Sequence, residues 1–167
     1  MNSEEYEKLH LINFTGAYIS KVRNSYMDIL NDIALSCTDN LYFFSNQANR
    51  ITEKIHEIYD IYPDFPWKDE TYRNAGTFRH TDSRKWFALI MDIRWDALLK
   101  NKDMKKVDVI NLKINPSDSE KLASINGIFP GYHMNHRNWI SVVLNDTLND
   151  EKILELVNVS FSLTKIR

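Results

Sequence analysis

Hydrophobic residues recur at helical spacing in several parts of the chain. Over residues 18–33 apolar side chains return every three or four positions, which predicts a helix. A second helix is predicted to begin after Ser45, a suitable N-cap, and to end before Pro63 and Pro66. A last helix follows Asn149-Asp150-Glu151, whose acidic residues suit the positive end of the helix dipole. Helices are therefore expected on both sides of the central part of the chain.

The central part alternates apolar and polar residues with the period of two that is typical of strands. Residues 77–81 and 85–93 predict a hairpin, while residues 107–114 and 139–144 predict further strands. The order is helices, then an antiparallel meander, then a closing helix. This order predicts an α+β two-layer sandwich in which an antiparallel sheet carries helices on one face.

The predicted sheet has two faces of different composition. The set expected under the helices is Ile110, Leu112, Ile140 and Val142, and the opposite set is Val109, Asn111, Lys113, Trp139, Ser141 and Val143. A tryptophan beside a lysine on an open face is more typical of a binding surface than of a solvated one. The alternative is that the N-terminal part of the chain packs across this face.

Composition and charge narrow the class of protein. Of 167 residues, 43% are hydrophobic and 26% are charged, so the chain can bury a core. The net charge of −2 argues against a strongly basic nucleic-acid binder. A single cysteine, Cys37, excludes an intramolecular disulfide framework. No signal peptide or membrane-spanning run is recognisable, so a cytoplasmic location is expected.

Catalytic and cofactor motifs are missing from the sequence. The glycines at 16, 76, 127 and 131 build neither a phosphate-binding loop nor a dinucleotide turn, and no zinc-protease helix or nucleophile elbow occurs. His133 and His136 have a spacing that suits a shared metal, but no nearby acid or thiol completes a site. Cys37 lies among aliphatic residues and is more typical of a core. We therefore expect no cofactor, no metal and no enzymatic activity.

Basic, polar and aromatic residues gather in the hairpin, the next strand and the loop before the last strand. Lysine and arginine neutralise phosphates, whereas histidine and asparagine also hydrogen-bond to base edges. The hairpin tip would suit a wing that enters a groove. The alternative is a solvated edge whose charges discourage strand-to-strand aggregation. The candidate nucleic-acid-binding residues are Arg79, Arg84, Lys85, Asn111, Lys113, His133, Asn135, His136, Arg137 and Trp139.

Three segments carry a family resemblance. Phe78-Arg79-His80 with Lys85-Trp86-Phe87-Ala88-Leu89-Ile90, the strand from Val107 to Lys113, and above all Pro130-Gly131-Tyr132-His133-Met134-Asn135-His136-Arg137-Asn138-Trp139-Ile140 resemble the MmcQ/YjbR family. The resemblance begins near Ser45, which divides the chain into residues 1–44, an N-terminal helical extension, and residues 45–167, the α+β domain. In this chain His136-Arg137-Asn138 stands where the family often has Lys-x-His.

The resemblance implies a frataxin-like (CyaY-like) fold and a DNA-binding protein with a double-wing arrangement. It also implies that the motif residues matter, and these are Asn111, Lys113, Tyr132, His133, Met134, Asn135 and Trp139. The leading hypothesis is therefore a non-catalytic DNA-binding accessory or regulatory protein with weak, salt-sensitive binding. In it, Lys113, Arg84, Lys85 and Arg137 contact phosphates.

Two other functions stay open. In the first, the protein binds a small anionic ligand or a protein partner on the face of Trp139 and Lys113, and the Tyr-His-Met-Asn loop shapes a pocket. In the second, less favoured, an enzyme uses His133 or His136 as a base. Neither hypothesis involves a membrane.

Overall fold

The computed structural model describes residues 41–99 and 101–165. In this part of the chain, helix α1 (Asn46–Tyr59) begins where the sequence predicts. The Ser45 hydroxyl accepts a hydrogen bond from the backbone N–H of Ala48 at 3.1 Å. The helix ends at Asp60, whose left-handed backbone, at φ 55°, donates its N–H to the carbonyl of His56. The predicted helix is thus confirmed.

The closing helix, α4 (Asp150–Thr164), is confirmed as well. The side chain of Asn149 accepts a hydrogen bond from the backbone N–H of Lys152 at 2.9 Å, which caps the helix. None of the described helices is long and apolar enough to cross a membrane. The helix predicted over residues 18–33 and the single cysteine, Cys37, lie outside the described residues.

The described compact unit begins at Leu41. Phe43 is buried in its core, and the Asn49 side-chain oxygen accepts hydrogen bonds from the backbone N–H groups of Tyr42 and Phe43 at 2.8 and 3.0 Å. Residues 41–44 therefore pack with the α+β domain, although the predicted boundary at Ser45 assigns them to the N-terminal extension.

The described strands are β1 (Gly76–Arg79), β2 (Trp86–Arg94), β3 (Lys106–Lys113), β4 (Ile128–Pro130) and β5 (Trp139–Val143). They form one antiparallel sheet with the order β1-β2-β3-β5-β4. Alternation did not predict the short strand β4, which lies at the edge of the sheet. Because β5 lies between β3 and β4, the sheet is not a simple meander. Three residues are too few to show a period of two.

Short helical segments link these strands. Helix α2 (Trp95–Leu99) follows β2 directly and was not predicted. A 3-10 turn (Pro116–Asp118) and helix α3 (Ser119–Ala123) lie between β3 and β4, after Asn115-Pro116. The α+β architecture with an antiparallel sheet is therefore confirmed.

Helices α1 and α4 cover one face of the sheet, which we call the helix-covered face. Polar side chains fix this packing at its ends. The buried side chain of Gln47 in α1 donates to the Leu148 carbonyl at 2.8 Å, just before α4. The buried Ser160 hydroxyl in α4 donates to the Phe87 carbonyl and accepts from the backbone N–H of Lys113. The buried set on this face includes Ile51, Ile55, Phe78, Ile90, Ile110, Leu112, Ile140, Val142, Ile153 and Val157.

The opposite face is also covered, so the prediction of an open face is wrong. Val109, Asn111 and Ser141 are fully buried and Val143 is 1% exposed. Loops and short segments, rather than long helices, cover this side, which we call the loop-covered face. The covering residues, each partly buried, include Trp67, Trp95, Leu98, Phe129, Tyr132 and Met134. The alternative cover, the N-terminal extension, lies almost wholly outside the described residues.

A β-bulge in β2 changes which side chains reach the loop-covered face. Phe78 pairs with Ala88 and Arg79 pairs with Trp86, which leaves Phe87 as an extra residue. Phe87 and Ala88 both pack in the core on the helix-covered face. Trp86 consequently lies with Leu89 on the loop-covered face, where strict alternation from Leu89 does not place it.

Candidate ligand site on the loop-covered face

The loop-covered face contains a cavity of about 210 Å³. One wall is the connector between α1 and β1, the floor is β2, and the other wall is the loop of residues 131–139, which we call the 131–139 loop. The rings of Trp67 and Trp86 meet edge to face, with centroids 5.6 Å apart. The lining residues are Trp67, Tyr72, Ala75, Trp86, Leu89, Met91, Tyr132, His133 and Met134. We call this space the aromatic cavity.

The 131–139 loop is a closed turn that begins and ends on the sheet. The backbone N–H of Gly131 donates to the Trp139 carbonyl at 3.0 Å, and that of Met134 donates to the Gly131 carbonyl at 3.1 Å. A Cβ atom at Gly131 would lie only 2.9 Å from the Trp139 carbonyl oxygen and 3.0 Å from Cβ of Met134. Glycine is therefore required because the two ends of the loop approach so closely.

Two buried polar side chains hold the loop at Tyr132. The Asn111 amide donates to the Tyr132 carbonyl at 3.0 Å, and the Ser141 hydroxyl accepts from the Tyr132 N–H at 2.8 Å. Ser141 also donates to the Asn111 oxygen at 2.6 Å, which joins the residues in one network. Asn111 was predicted to contact nucleic acid, but it is fully buried. Asn111 positions the loop instead, since its amide bonds to the Tyr132 carbonyl and to the Ser141 hydroxyl. Burying the amide without these bonds would be unfavourable.

His133 lies at the mouth of the aromatic cavity. Its backbone is left-handed, with φ 55°, which turns the chain between Tyr132 and Met134. Its exposed imidazole lies 4.1 Å from the Tyr132 ring and 6.5 Å, edge to face, from the Tyr72 ring, measured between centroids. Of the predicted nucleic-acid-binding residues, His133 is the one that lines this cavity.

Several polar groups of the lining residues have no protein partner. Among the residues that the structure describes, the two indole N–H groups, the two phenol hydroxyls and the imidazole make no hydrogen bond to another side chain or to the backbone. None of these groups is among the described buried side-chain polar atoms that lack a partner, so they are accessible to solvent. They are left for water or for a bound molecule, and they belong to Trp67, Trp86, Tyr72, Tyr132 and His133.

Two of the hairpin cations share one acid. Arg79 and Arg84 each approach the Asp64 carboxylate, with N–O distances of 2.9 and 3.1 Å. The Arg79 guanidinium also lies 5.2 Å from the centroid of the Trp86 ring. Lys85 is exposed and has no ion pair within the described ranges. One carboxylate cancels one of the two guanidinium charges, so the arginine pair keeps a positive charge and Lys85 is a further, unpaired cation.

The remaining predicted residues form a separate group next to the 131–139 loop. The Lys113 ammonium lies 5.9 Å from the centroid of the half-buried Trp139 ring. Asn135 uses its side-chain oxygen to accept from the backbone N–H of Arg137 at 3.0 Å, so it shapes the turn. His136 and Arg137 are exposed. The structure therefore divides the predicted residues into the hairpin set, the buried Asn111, His133 at the cavity and this set.

Other depressions are lined by charges that already have partners. One of about 590 Å³ includes Arg50 and Asp150, whose Nε and Oδ2 atoms are 2.8 Å apart. Their pairing keeps the pKa of the Asp150 carboxyl below its usual range. Another, of about 330 Å³, includes Asp108, which accepts from the backbone N–H of Ser45 at 2.6 Å. In the described parts of the chain no three His, Cys, Asp or Glu side chains converge on a metal site.

The sequence did not reveal three cavity residues, Trp67, Tyr72 and Trp86. Trp67 belongs to an aromatic, proline-rich connector that was visible in the sequence, but its packing position was not. Trp86 reaches the cavity because of the bulge at Phe87, which a period of two does not predict.

The sequence that builds this face matches a known protein family. The family model described as YjbR matches residues 56–163, a range that contains β2, β3 and the whole 131–139 loop. The chain belongs to the YjbR family. The match covers more than half of the sequence and confirms the family resemblance of the Tyr-His-Met-Asn loop.

YjbR-family relatives and a solved structure extend this comparison. The chain is 39% identical over 115 residues to the uncharacterised protein YyaQ of Bacillus subtilis, covering 69% of this chain and 95% of YyaQ. It is 36% identical over 75 residues to the uncharacterised protein YbdF of Escherichia coli, covering 44% of this chain and 62% of YbdF. A crystal structure of a Pseudomonas syringae protein superposes with a TM-score of 0.65 and 40% identity, covering 73% of this chain and all of that protein.

Proposed function

We propose that this YjbR-family protein is a non-catalytic binding protein that takes a flat heteroaromatic ring into the aromatic cavity. The observation that carries the proposal is the combination of apolar ring walls with polar groups that lack protein partners. A ring with nitrogen or oxygen atoms at its edge satisfies both, since its faces contact aromatic walls and its edge atoms bond to the free groups.

The size of the cavity supports a single ring system. Pockets that enclose a whole drug-sized ligand measure about 300–1,000 Å³. At about 210 Å³, the aromatic cavity is smaller than this range. It therefore suits one ring system, and the rest of a larger ligand would lie outside the mouth near His133.

The walls of the cavity suit a conjugated ring better than an aliphatic chain. Trp67 and Trp86 offer ring faces and edges, and Met91 and Met134 offer polarisable sulfur. The network of Asn111 and Ser141 holds Tyr132 before any ligand arrives. Because the wall is already ordered, binding would lose little conformational entropy.

A ligand screen with a filled-cavity variant tests this proposal. Thermal unfolding is measured with a panel of flat heteroaromatic compounds, and a compound at about 100 times its Kd stabilises the fold by about 2.7 kcal/mol. Ala75→Leu places a larger side chain in the cavity wall and should abolish the shift, whereas the exposed Ala97→Leu on α2 should keep it. Met134→Ala, at the partly buried wall, gives a second test should Ala75→Leu not fold.

Either of two results would count against a ring site. The panel could leave the melting temperature unchanged at concentrations up to about 1 mM. Every compound would then bind with a Kd weaker than about 1 mM. Alternatively, Ala75→Leu could bind a stabilising compound as well as Ala97→Leu does, which would place that compound elsewhere.

DNA binding is the second candidate, supported by Lys113 and Trp139. A cation beside a half-exposed tryptophan, next to the exposed His136 and Arg137, suits a phosphate backbone or an unpaired base. The pairing of Arg79 and Arg84 with Asp64 weakens the double-wing form of this hypothesis, since the shared carboxylate cancels one of the two positive charges.

Fluorescence anisotropy with labelled duplex and single-stranded DNA tests the second candidate. Binding should weaken with salt by about one log unit per log of salt for each phosphate contact, and should drop when Lys113 and Arg137 are both alanine. A matched control replaces Lys54 and Lys152, which are paired with glutamates on α1 and α4. The absence of binding at about 50 mM salt would dispose of this candidate. A protein partner that binds at Lys113 and Trp139 is the remaining form of the binding hypothesis.

The frataxin-like arrangement implied by the family resemblance stays a prediction. The antiparallel sheet with α1 and α4 on one face is compatible with it. It does not bear on the choice of ligand, because fold alone is a weak guide to function.

A further inference from the structure

The lining of the aromatic cavity contains no acidic side chain, lysine or arginine. The lining residues that the structure describes are aromatic, aliphatic or sulfur-containing, apart from the imidazole of His133. A charged group that moves from water into such a space loses hydration and meets no opposite charge. The lining therefore favours a ring without a net charge.

Aromatic walls can nevertheless attract a positive charge. A cation over the face of a tryptophan or tyrosine ring is stabilised by the electrons of the ring, and cages of aromatic residues bind quaternary ammonium groups in this way. The cavity is lined by two tryptophans and two tyrosines, so a cationic ligand is the alternative to a neutral ring. The surroundings of Trp86 favour the neutral ring.

Trp86 already has a cation of the protein over its ring. Arg79 is the cross-strand partner of Trp86, and its guanidinium carbon lies 5.2 Å from the centroid of the indole. Trp86 lines the cavity, whereas Arg79 does not. The indole thus contacts both the guanidinium and the cavity. A cationic ligand at this wall would share the indole with a like charge, which is unfavourable.

The neighbours of Arg79 fix its position. Its Nε atom lies 2.9 Å from the Asp64 carboxylate and donates a hydrogen bond to the Thr77 hydroxyl at 3.1 Å. The same carboxylate oxygen lies 3.1 Å from a guanidinium nitrogen of Arg84. One negative charge is therefore shared by two positive charges, and this group leaves no unshared carboxylate to balance a cationic ligand.

We infer that the aromatic cavity selects an uncharged heteroaromatic ring over the same ring with a positive charge, and that Arg79 determines this specificity. The inference rests on the proposed function, because it names the class of ring that the same site takes. Trp67 and Trp86 contact each other edge to face, so the ring lies beside this pair and against Leu89 and Met91 on the floor. Arg79 acts through its charge and through the indole of Trp86.

Calorimetric titration with isosteric pairs tests the inference. Lepidine and N-methylquinolinium have the same size and shape and differ in charge, and picoline and N-methylpyridinium form the corresponding single-ring pair. A pair is also made from each compound that stabilises the fold in the thermal screen. A mildly alkaline buffer keeps the ring nitrogen of the neutral member free of a proton. We expect the neutral member to bind at least about tenfold more tightly, since lost hydration and like charge both disfavour the cation.

Variants of the two arginines locate the origin of this preference. Arg79→Gln removes the charge over Trp86 and should reduce the preference for the neutral member at least about threefold. Arg84→Gln is the matched control, because Arg84 pairs with the same carboxylate but, within the described residues, lies over no aromatic ring. It should keep the preference. An equal reduction in Arg84→Gln would assign the preference to the net charge of the hairpin and would refute the role of Arg79.

Asp64→Asn gives a second test should Arg79→Gln not fold. This variant keeps both arginines and removes the negative charge that they share, so the preference for the neutral member should increase. If the preference stays the same in Asp64→Asn and in Arg79→Gln, Arg79 does not determine the specificity.

The binding results also separate this inference from the proposal on which it rests. If both members of a pair bind equally, or if the cation binds more tightly, the inference is refuted and the ring site stands. If neither member of any pair binds, the ring site itself fails and the inference fails with it.

Discussion

The two faces of the sheet are covered in different ways and are filled to different degrees. On the helix-covered face, α1 and α4 press long aliphatic side chains against Ile110 and Leu112, both fully buried. On the loop-covered face, half-buried aromatic residues of the connector and of the 131–139 loop pack against the buried cluster that contains Val109 and Val143. The first face is a packed core, and the second retains the aromatic cavity.

The difference shows that the helix-covered face stabilises the fold and that the loop-covered face leaves room for a ligand. Helices present regular rows of side chains that interdigitate with a sheet, so voids are few. Loops cannot pack as regularly, and here the polar network of Asn111 and Ser141 fixes one of them in a shape that leaves a gap. Changes on the helix-covered face should therefore act on stability, and changes on the loop-covered face should act on binding.

The largest effect is expected from shortening a side chain on the helix-covered face. Ile110→Ala should lower the free energy of unfolding by about 2–5 kcal/mol, because it removes fully buried atoms and leaves a cavity. Met134→Ala, at the partly buried wall of the aromatic cavity, should cost about 1 kcal/mol or less. Urea denaturation measures both. Equal costs for the two variants would show that the faces do not differ as described.

A smaller loss of stability, coupled to a loss of binding, is expected at Asn111. Asn111→Ala removes the amide that bonds to Tyr132 and Ser141, and should cost about 1–3 kcal/mol. Because the loop wall is no longer fixed, affinity for a ring ligand should also fall at least about tenfold, a change of about 1.4 kcal/mol. Urea denaturation and calorimetric titration give the two values.

Ser160→Ala is the matched control for Asn111→Ala. Ser160 is an equally buried polar residue that bonds to the backbone, but on the helix-covered face. It should lower stability while ring affinity stays unchanged. If it weakens binding as much as Asn111→Ala does, the effect of Asn111 is one of general stability and not of loop position.

A pH-dependent effect is expected at His80 on the helix-covered side. Its Nε2 atom lies 2.8 Å from the Thr164 hydroxyl, and burial lowers the pKa of His80, with nearby Lys165 and Lys85 acting in the same direction against Asp82. The unfolded chain therefore binds the proton first, and stability should fall as the pH drops below about 6.5.

Unfolding curves at several pH values check the role of His80. His80→Gln should flatten the loss of stability between about pH 6.5 and 5, the range in which an unfolded histidine gains its proton. An unchanged slope in His80→Gln would assign the titration to another group.

The smallest effect is expected at the hairpin tip. Arg84→Ala breaks an exposed ion pair with Asp64 and should change the free energy of unfolding by less than about 1 kcal/mol. It should not alter ring affinity, since Arg84 is not part of the cavity lining. A large loss of ring binding in this variant would extend the site to the hairpin and contradict the boundary described above.

Local signals in the sequence were enough to predict much of the fold. Ser45 and Asn149 mark the starts of α1 and α4 because capping depends on a few adjacent residues. The alternation of β3 correctly separates Ile110 and Leu112 from Val109 and Asn111. A resemblance to the YjbR family was also visible in the 131–139 loop, and the match over residues 56–163 confirms it.

The cover of the second face and the cavity could not be predicted in this way. They depend on contacts between distant segments, such as Trp67 with Trp86, that no local period encodes. Asn111 was predicted at a surface because alternation assigns it to the sheet face that the helices were not expected to cover. Its burial depends on Ser141 and on the backbone of Tyr132, which are partners from elsewhere in the chain.

The most direct test of the central claim uses the indole N–H signals in a proton–nitrogen NMR spectrum. The chain has four tryptophans, of which Trp67 and Trp86 line the aromatic cavity, while Trp95 and Trp139 do not and serve as internal references. During titration with a flat heteroaromatic compound that stabilises the fold, the Trp67 and Trp86 signals should shift together and saturate, while the reference signals stay in place. Shifts confined to Trp139, or equal shifts at all four, would contradict a ring site in the cavity.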